Sequence, residues 1–271
     1  MQVAVRYFRL LFALARYGIA RELAFRSNFV VKISVEVLWL GILLAFYKTI
    51  FAKTSVVANW TEAEYLFFIG CYFAMEGFIE TFFLENCNEF ADLVRTGDLD
   101  FYLLKPIDEQ FLVTCRKIDW STAPNFVMGA AVMGLSLWQM PDWAFDWRRA
   151  AMFVVMFGCG LAIAYSFLLL LTSTSMWFMR NQSLFEMWWL FTSLMRYPKE
   201  IFNNTWASPL GWFLTFVIPI LLVVNVPARV MVRAIEEPWV VGFTLLMTVI
   251  LLWASRRFFK YALRLYRSAS S

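Results

Sequence analysis

Seven apolar runs, near residues 29–50, 65–84, 120–140, 150–179, 184–195, 210–228 and 239–255, dominate the chain. Most are long enough to cross about 30 Å of hydrocarbon as a helix. Hydrophobic residues make up 61% of the sequence and charged residues only 16%, against about 45–50% and about 25% in a soluble domain. A water-soluble fold of this size could not hide so much apolar side chain. Lipid solvates it, and a chain within lipid must satisfy its own backbone, which helices do. The sequence thus predicts an all-α integral membrane protein, with residues 1–271 as a single transmembrane domain. The chain contains no His, so the commonest general base and a common metal ligand are missing. Cys71, Cys87, Cys115 and Cys159 have no CxxC spacing, and Cys71 and Cys159 lie in apolar runs as packing residues. Residues 1–27 are studded with Arg and do not read as a cleavable signal peptide.

Charge parity limits the number of crossings. Arg6, Arg9, Arg16, Arg21, Arg26 and Lys32 face a single acid, Glu22, near the N-terminus. Arg256, Arg257, Lys260, Arg264 and Arg267 crowd the C-terminal tail with no acid among them. Both ends belong in the cytoplasm by the positive-inside rule, and that requires an even number of spans. Pro198, Pro209, Pro219, Pro227 and Pro238 show where a seventh run fails to cross. Each removes a helical hydrogen bond, and broken backbone at membrane depth is tolerated only inside protein or beside a cavity. The reading is six transmembrane helices with an outer re-entrant helical segment at 196–238. Arg148, Arg149, Arg229 and Arg233 fall outside under this topology, against the rule.

Residues 3–26 read as an interfacial helix. Phe8, Leu11, Phe12, Ala15, Ile19 and Leu23 share a stripe, with the arginines off it, although Leu10 and Leu14 interrupt the polar face. The alternative is a helix packed on another subunit. Trp188-Trp189 and the stretch from Trp138 to Trp147 read as interface anchors. The hydroxyl run Thr172 to Ser175 suits bonding to backbone carbonyls within a helix. Gly158-Cys159-Gly160 could let two helices approach.

The cytoplasmic loop at 86–117 is the most distinctive stretch. Gly97, after Arg95 and Thr96, can take the positive φ that ends a helix. Asp98 or Asp100 can cap a short helix beyond it, and Pro106 stops that helix. The pattern Arg95-x-Gly97-x-Leu99-Asp100-x-x-Leu103-Leu104-x-Pro106, after a span opening at Glu64-Tyr65, resembles the ABC-2 family of ABC-transporter permeases. Arg196-Tyr197-Pro198 and the Pro219…Pro227 block are similar to the same family. The resemblance implies a permease homodimer in a bacterial inner (plasma) membrane, each copy resting on a separate ATP-binding ATPase subunit. Arg95, Gly97, Leu99, Asp100, Leu103, Leu104, Lys105 and Pro106 would then form the ATPase-coupling loop. ATP and Mg would be held by the partner, leaving this chain with no cofactor. Consistently, none of the eleven glycines is followed by Lys, as a phosphate-cradling loop requires. Nothing points to nucleic acid; the remaining partner is membrane lipid.

Carboxylates inside spans are costly and usually have a task. Glu76 and Glu80 lie four apart on one helix face, either in a translocation path or at a helix or dimer interface. Glu36 has Lys32 four residues before it as a possible partner. A proton-coupled secondary transporter using Glu76 and Glu80 is the alternative to an ATP-driven exporter. Lipid, drug, glycan and peptide substrates all fit an aromatic-rich interior.

Overall fold

The computed structural model describes residues 2–141, 143–178, 182–203, 207–233 and 238–266, which leaves Arg267 outside the described residues. Helix α1 (Gln2–Ala24) breaks at Phe25 from α2 (Arg26–Phe51). A two-residue hairpin follows, β1 (Val56–Val57) antiparallel to β2 (Trp60–Thr61), turning through Ala58 and Asn59 with positive φ. Thr61 and Glu64 then form a reciprocal capping box that starts α3 (Glu62–Ile79). The helix continues through a π turn at Glu80–Leu84 into α4 (Glu85–Thr96). Gly97, at φ 80°, ends it in the left-handed conformation expected of it. Two short helices follow, α5 (Leu99–Leu103) and α6 (Glu109–Cys115). Next come α7 (Ala123–Gln139), α8 (Trp147–Phe178) and α9 (Gln182–Met195). A 3-10 turn at Lys199–Asn203 precedes α10 (Ser208–Phe216), α11 (Ile220–Val232) and α12 (Pro238–Leu265).

Among the described residues, four helical stretches are long and apolar enough to cross a membrane: α2, the continuous Glu62–Thr96 helix, α8 and α12. The α10–α11 pair, bent by 85°, makes a fifth if counted as one span. α7 has 17 residues and α9 only 14. Length alone therefore gives four or five spans where the apolar runs suggested six.

α3 is the centre of the bundle. Phe67, Phe68, Ile69, Cys71, Tyr72, Phe73 and Met75 are all sealed from solvent, whereas Val30, Val35, Leu38, Ile42 and Phe46 of α2 are exposed. Polar side chains bond within the bundle or to their own helix. Thr172, Ser173, Thr174 and Ser175 donate to carbonyls three or four residues back, as short hydroxyls in helices do.

α1 presents two apolar faces rather than one. Phe8, Phe12, Ile19 and Leu23 are exposed. Leu10, Leu11, Leu14, Ala15 and Gly18 turn the other way, toward the protein. Gly18 meets Ile118 O, and Trp120 Nε1 donates to Ala15 O at 2.9 Å. Leu10 and Leu14, which seemed to interrupt a polar face, are thus packing residues.

Three other expectations are corrected. Lys32 does not pair with Glu36; it reaches Asp119 at 3.6 Å and Ser121 at 3.1 Å, because α2 packs on the 119–125 segment. Asp98 does not cap α5 through its side chain, since its carboxylate accepts from Thr96 Oγ1 at 2.8 Å instead. Trp188 is buried and stacks on Phe191, which stacks on Phe167, so only its exposed neighbour Trp189 is available as an anchor.

Candidate functional site

The long α3–α4 helix has a polar face midway along it and a loop at its end. Hydrogen bonds across the loop tie it to three other helices. Gly97 turns the chain back so that Leu99 points into a buried cluster with Phe90, Val94, Val113, Leu169 and Phe259. That anchor fixes the rotation of α5. Leu103 packs partly against the same cluster, and Asp100 is half-buried beside Tyr266. The opposite side of α5 is left outward, where Phe101 and Leu104 are 68% and 82% exposed. Arg95 is also exposed and pairs with Asp92 at 3.0 Å, and Lys105 lies 4.5 Å from the ring of Tyr102. The sequence reading missed Phe101; its outward orientation depends on the long-range burial of Leu99.

Beyond α5 the chain is held from several directions. Arg6 donates to Pro106 O at 3.1 Å, and the Asp108 amide donates to Tyr7 Oη at 3.0 Å. Asp108 caps α6 by accepting from the Phe111 amide at 3.2 Å. Its other oxygen accepts from Arg256 of α12 at 2.8 Å. Gln110 bonds both Arg256 and Tyr165 of α8. Asp108 was not singled out from sequence, although an Asp after Pro106 and just before a short helix is an N-cap signal. α1, the loop and the C-terminal end of α12 therefore meet at one end of the bundle.

Burial alone pushes the Asp108 carboxyl up. The Arg256 and Phe111 hydrogen bonds, with the positive charges of Arg256 and Lys260, more than reverse this and hold it below the usual carboxylate range. A depressed folded-state value means that the stabilisation is complete above the unfolded value of about 3.9 and is lost as pH falls through the folded one. Arg256 is nearly half exposed, so screening limits the pair to about 1 kcal/mol. Asp108→Asn keeps the cap and loses the ion pair. It should melt below wild type at neutral pH, with the gap closing under acid. A gap unchanged at pH about 2 would contradict the pairing.

The polar face of α3 lies deeper in the bundle. Arg196 Nη2 donates to Tyr72 Oη at 3.2 Å, and its guanidinium sits 5.3 Å from the Tyr72 ring and 5.5 Å from that of Trp39. Glu76, one turn past Tyr72, lies near Arg196 and Glu36. Glu80 opens the π turn, a distortion common at functional sites. Asn125 of α7 donates to Glu36 Oε2 at 3.0 Å. Glu76 and Glu80 thus share one face, as their spacing predicted, and both are half-buried. The structure adds Glu36, Asn125 and Arg196 from three other segments.

At the opposite end, Arg233 binds Glu64 through two contacts, of 2.8 and 2.6 Å, and lies 4.5 Å from the Trp60 ring. Arg229 faces Glu200 at 3.6 Å, Glu200 accepts from Trp60 Nε1 at 2.9 Å, and Arg149 faces Asp146 at 3.8 Å. Three of the four basic residues that broke the charge rule, Arg149, Arg229 and Arg233, are therefore matched by acids at this end.

Residues 37–270 match the sequence model of the ABC-2 family of transporter proteins. The chain belongs to that family. No curated protein and no solved structure gives a match. As an ABC-2 protein with several apolar helices, the chain is a multi-pass membrane permease component of an ABC transporter. Such permeases are transport components and generally not catalytic themselves.

Proposed function

We propose that this ABC-2 chain is the permease half of an ATP-driven exporter, working as a homodimer on separate ATPase subunits that bind ATP and Mg. The observation that carries the reading is the Arg95–Pro106 loop. It offers exposed Phe101 and Leu104 to a partner while Asp108, Gln110 and Pro106 bind it to α12, α8 and α1. A partner that pulled on α5 would load three helices at once. Apolar side chains exposed beyond the lipid are what a protein interface covers.

The topology proposed with it has six crossings, both termini in the cytoplasm of a bacterial inner membrane, and a re-entrant α10–α11 pair. α1, the loop and the end of α12 share one end of the bundle, which suits an even count. α7 runs antiparallel along most of α3, from Ser136 at Ala63 to Thr122 at Thr81, and so covers the same thickness. α9 starts the fifth crossing, and the 3-10 turn carries it to Trp60 through Glu200. α11 has Val223 against Gly160 deep in α8 and Arg233 at Glu64, which supports a bent pair that enters and leaves on the outer side.

Purification of the tagged full chain in mild detergent should recover an ATP-binding subunit. A native complex that repeatedly lacks one contradicts the proposal. The half-buried Glu76 and Glu80 support a second reading, a proton-coupled secondary transporter. It requires uptake driven by a pH gradient without ATP and lost in Glu80→Gln.

A further inference from the structure

The facing surfaces of α2 and α3 carry more carboxyl groups than nearby cations match. Glu36, Glu76 and Glu80 lie within Coulomb reach of one another, and Arg196 lies near Glu76. Three carboxyl groups thus share this face with one guanidinium. Asp119, at the edge of the group, is matched by Lys32 at 3.6 Å. Inside a bundle solvated by lipid, carboxyl groups without a matching cation are costly to ionise unless something arrives to offset their charge.

Asn125 points to what that is. Its side chain is only 3% exposed, and its Nδ2 donates to Glu36 Oε2 at 3.0 Å. Its Oδ1 is buried and has no hydrogen-bond partner. A buried acceptor left alone normally finds a donor or a positive charge. The carboxyl groups and the lone amide oxygen alike suit a ligand that brings a positive charge. Among the described residues no group of three acids converges as metal ligands do, so the set is spread too widely for a bare metal ion. Aromatic rings border it instead: Trp39, 45% exposed, and Tyr72, both already under the guanidinium of Arg196.

We propose that this face of α2, α3 and α7 binds the transported substrate, and that the substrate is a lipophilic organic cation. Its charge lies among Glu36, Glu76 and Glu80 with the Asn125 carbonyl dipole turned toward it, and its apolar groups lie on Trp39. Cation–π contact and carboxylate attraction act together there, as Arg196 already demonstrates within the protein. The proposal rests on the permease reading.

Two probes of the same shape and opposite charge test it, tetraphenylphosphonium and tetraphenylborate, with the purified full chain in nanodiscs. The phosphonium should bind saturably, weakened about tenfold or more in Glu76→Gln/Glu80→Gln, while the borate shows no saturable binding. In the wild-type chain, tetrapentylammonium should displace the phosphonium, a readout that does not depend on the folding of a variant. Equal binding of the two ions, retention of phosphonium binding in a folded double variant, or failure of displacement each overturns the substrate class. No ATPase is present, so these outcomes leave the permease reading to the co-purification experiment.

Discussion

Phe101→Asp/Leu104→Asp should weaken capture of the proposed ATPase subunit by roughly 100-fold and abolish transport. The two side chains are the large apolar groups exposed on α5 and its C-terminal cap. Central apolar contacts in an interface commonly contribute about 1–2 kcal/mol or more each, and about 1.4 kcal/mol is a factor of ten. Because both side chains already face water, the permease should express, insert and melt like wild type. Leu99→Asp is the informative contrast. Leu99 is fully buried among Phe90, Val94 and Phe259, so that change places an unpaired charge in an apolar cluster and should reduce folded protein rather than affinity. Wild-type affinity in a folded Phe101→Asp/Leu104→Asp variant would remove α5 from the proposed coupling surface.

Much of this arrangement is written locally in the chain. The apolar runs announce the helices, the residues around Gly97 announce the end of α4, and Glu76 and Glu80 are placed on one face by their spacing. What spacing does not encode is the neighbour that a face meets. Lys32 had Glu36 within reach on its own helix and chose Asp119, because α2 lies against the 119–125 segment. Asn125 carries no signal of its own in the sequence, and only the packing of α2 on the 119–125 segment brings it to Glu36. Phe101 is apolar in an apolar-rich chain, and its exposure follows from Leu99 being held by residues up to 160 positions away, at Phe259. Small residues show the same limit. Gly158 and Gly160 stood out as a pair, yet only Gly160 touches another helix, at Val223 O, while Gly158 faces open space.

The contact that decides whether the bundle assembles involves glycines that no local pattern marked, and Gly129→Leu should break it. α3 and α7 approach so closely that a Cβ on Gly129 would run into the backbone of Ala74 and Gly70. Gly70 is hemmed in reciprocally, with Gly129 O and Met133 N each 2.8 Å from the position of its missing Cβ. Gly77 is pressed against Asn125 and Phe126 in the same way. Backbone cannot yield as the end of a flexible side chain can, so the helices must separate. In lipid the helices gain little from the hydrophobic effect against each other, and close van der Waals contact is the main attraction that would be lost. Separation would also stretch the Ser136–Ala63 and Thr81–Thr122 bonds and withdraw Asn125 from Glu36. A penalty of about 3 kcal/mol or more, the upper end for overpacking, removes a large share of a total stability of about 5–15 kcal/mol. The expected result is little or no monodisperse protein after solubilisation. Gly134→Leu, five residues further along α7, is the matched control, because a Cβ there meets nothing within 4 Å. It adds the same apolar mass on an exposed face and should behave as wild type. Normal yield and melting of Gly129→Leu would mean that α3 and α7 do not pack through these glycines, and the placement of Asn125 beside the α3 carboxylates would fall with it.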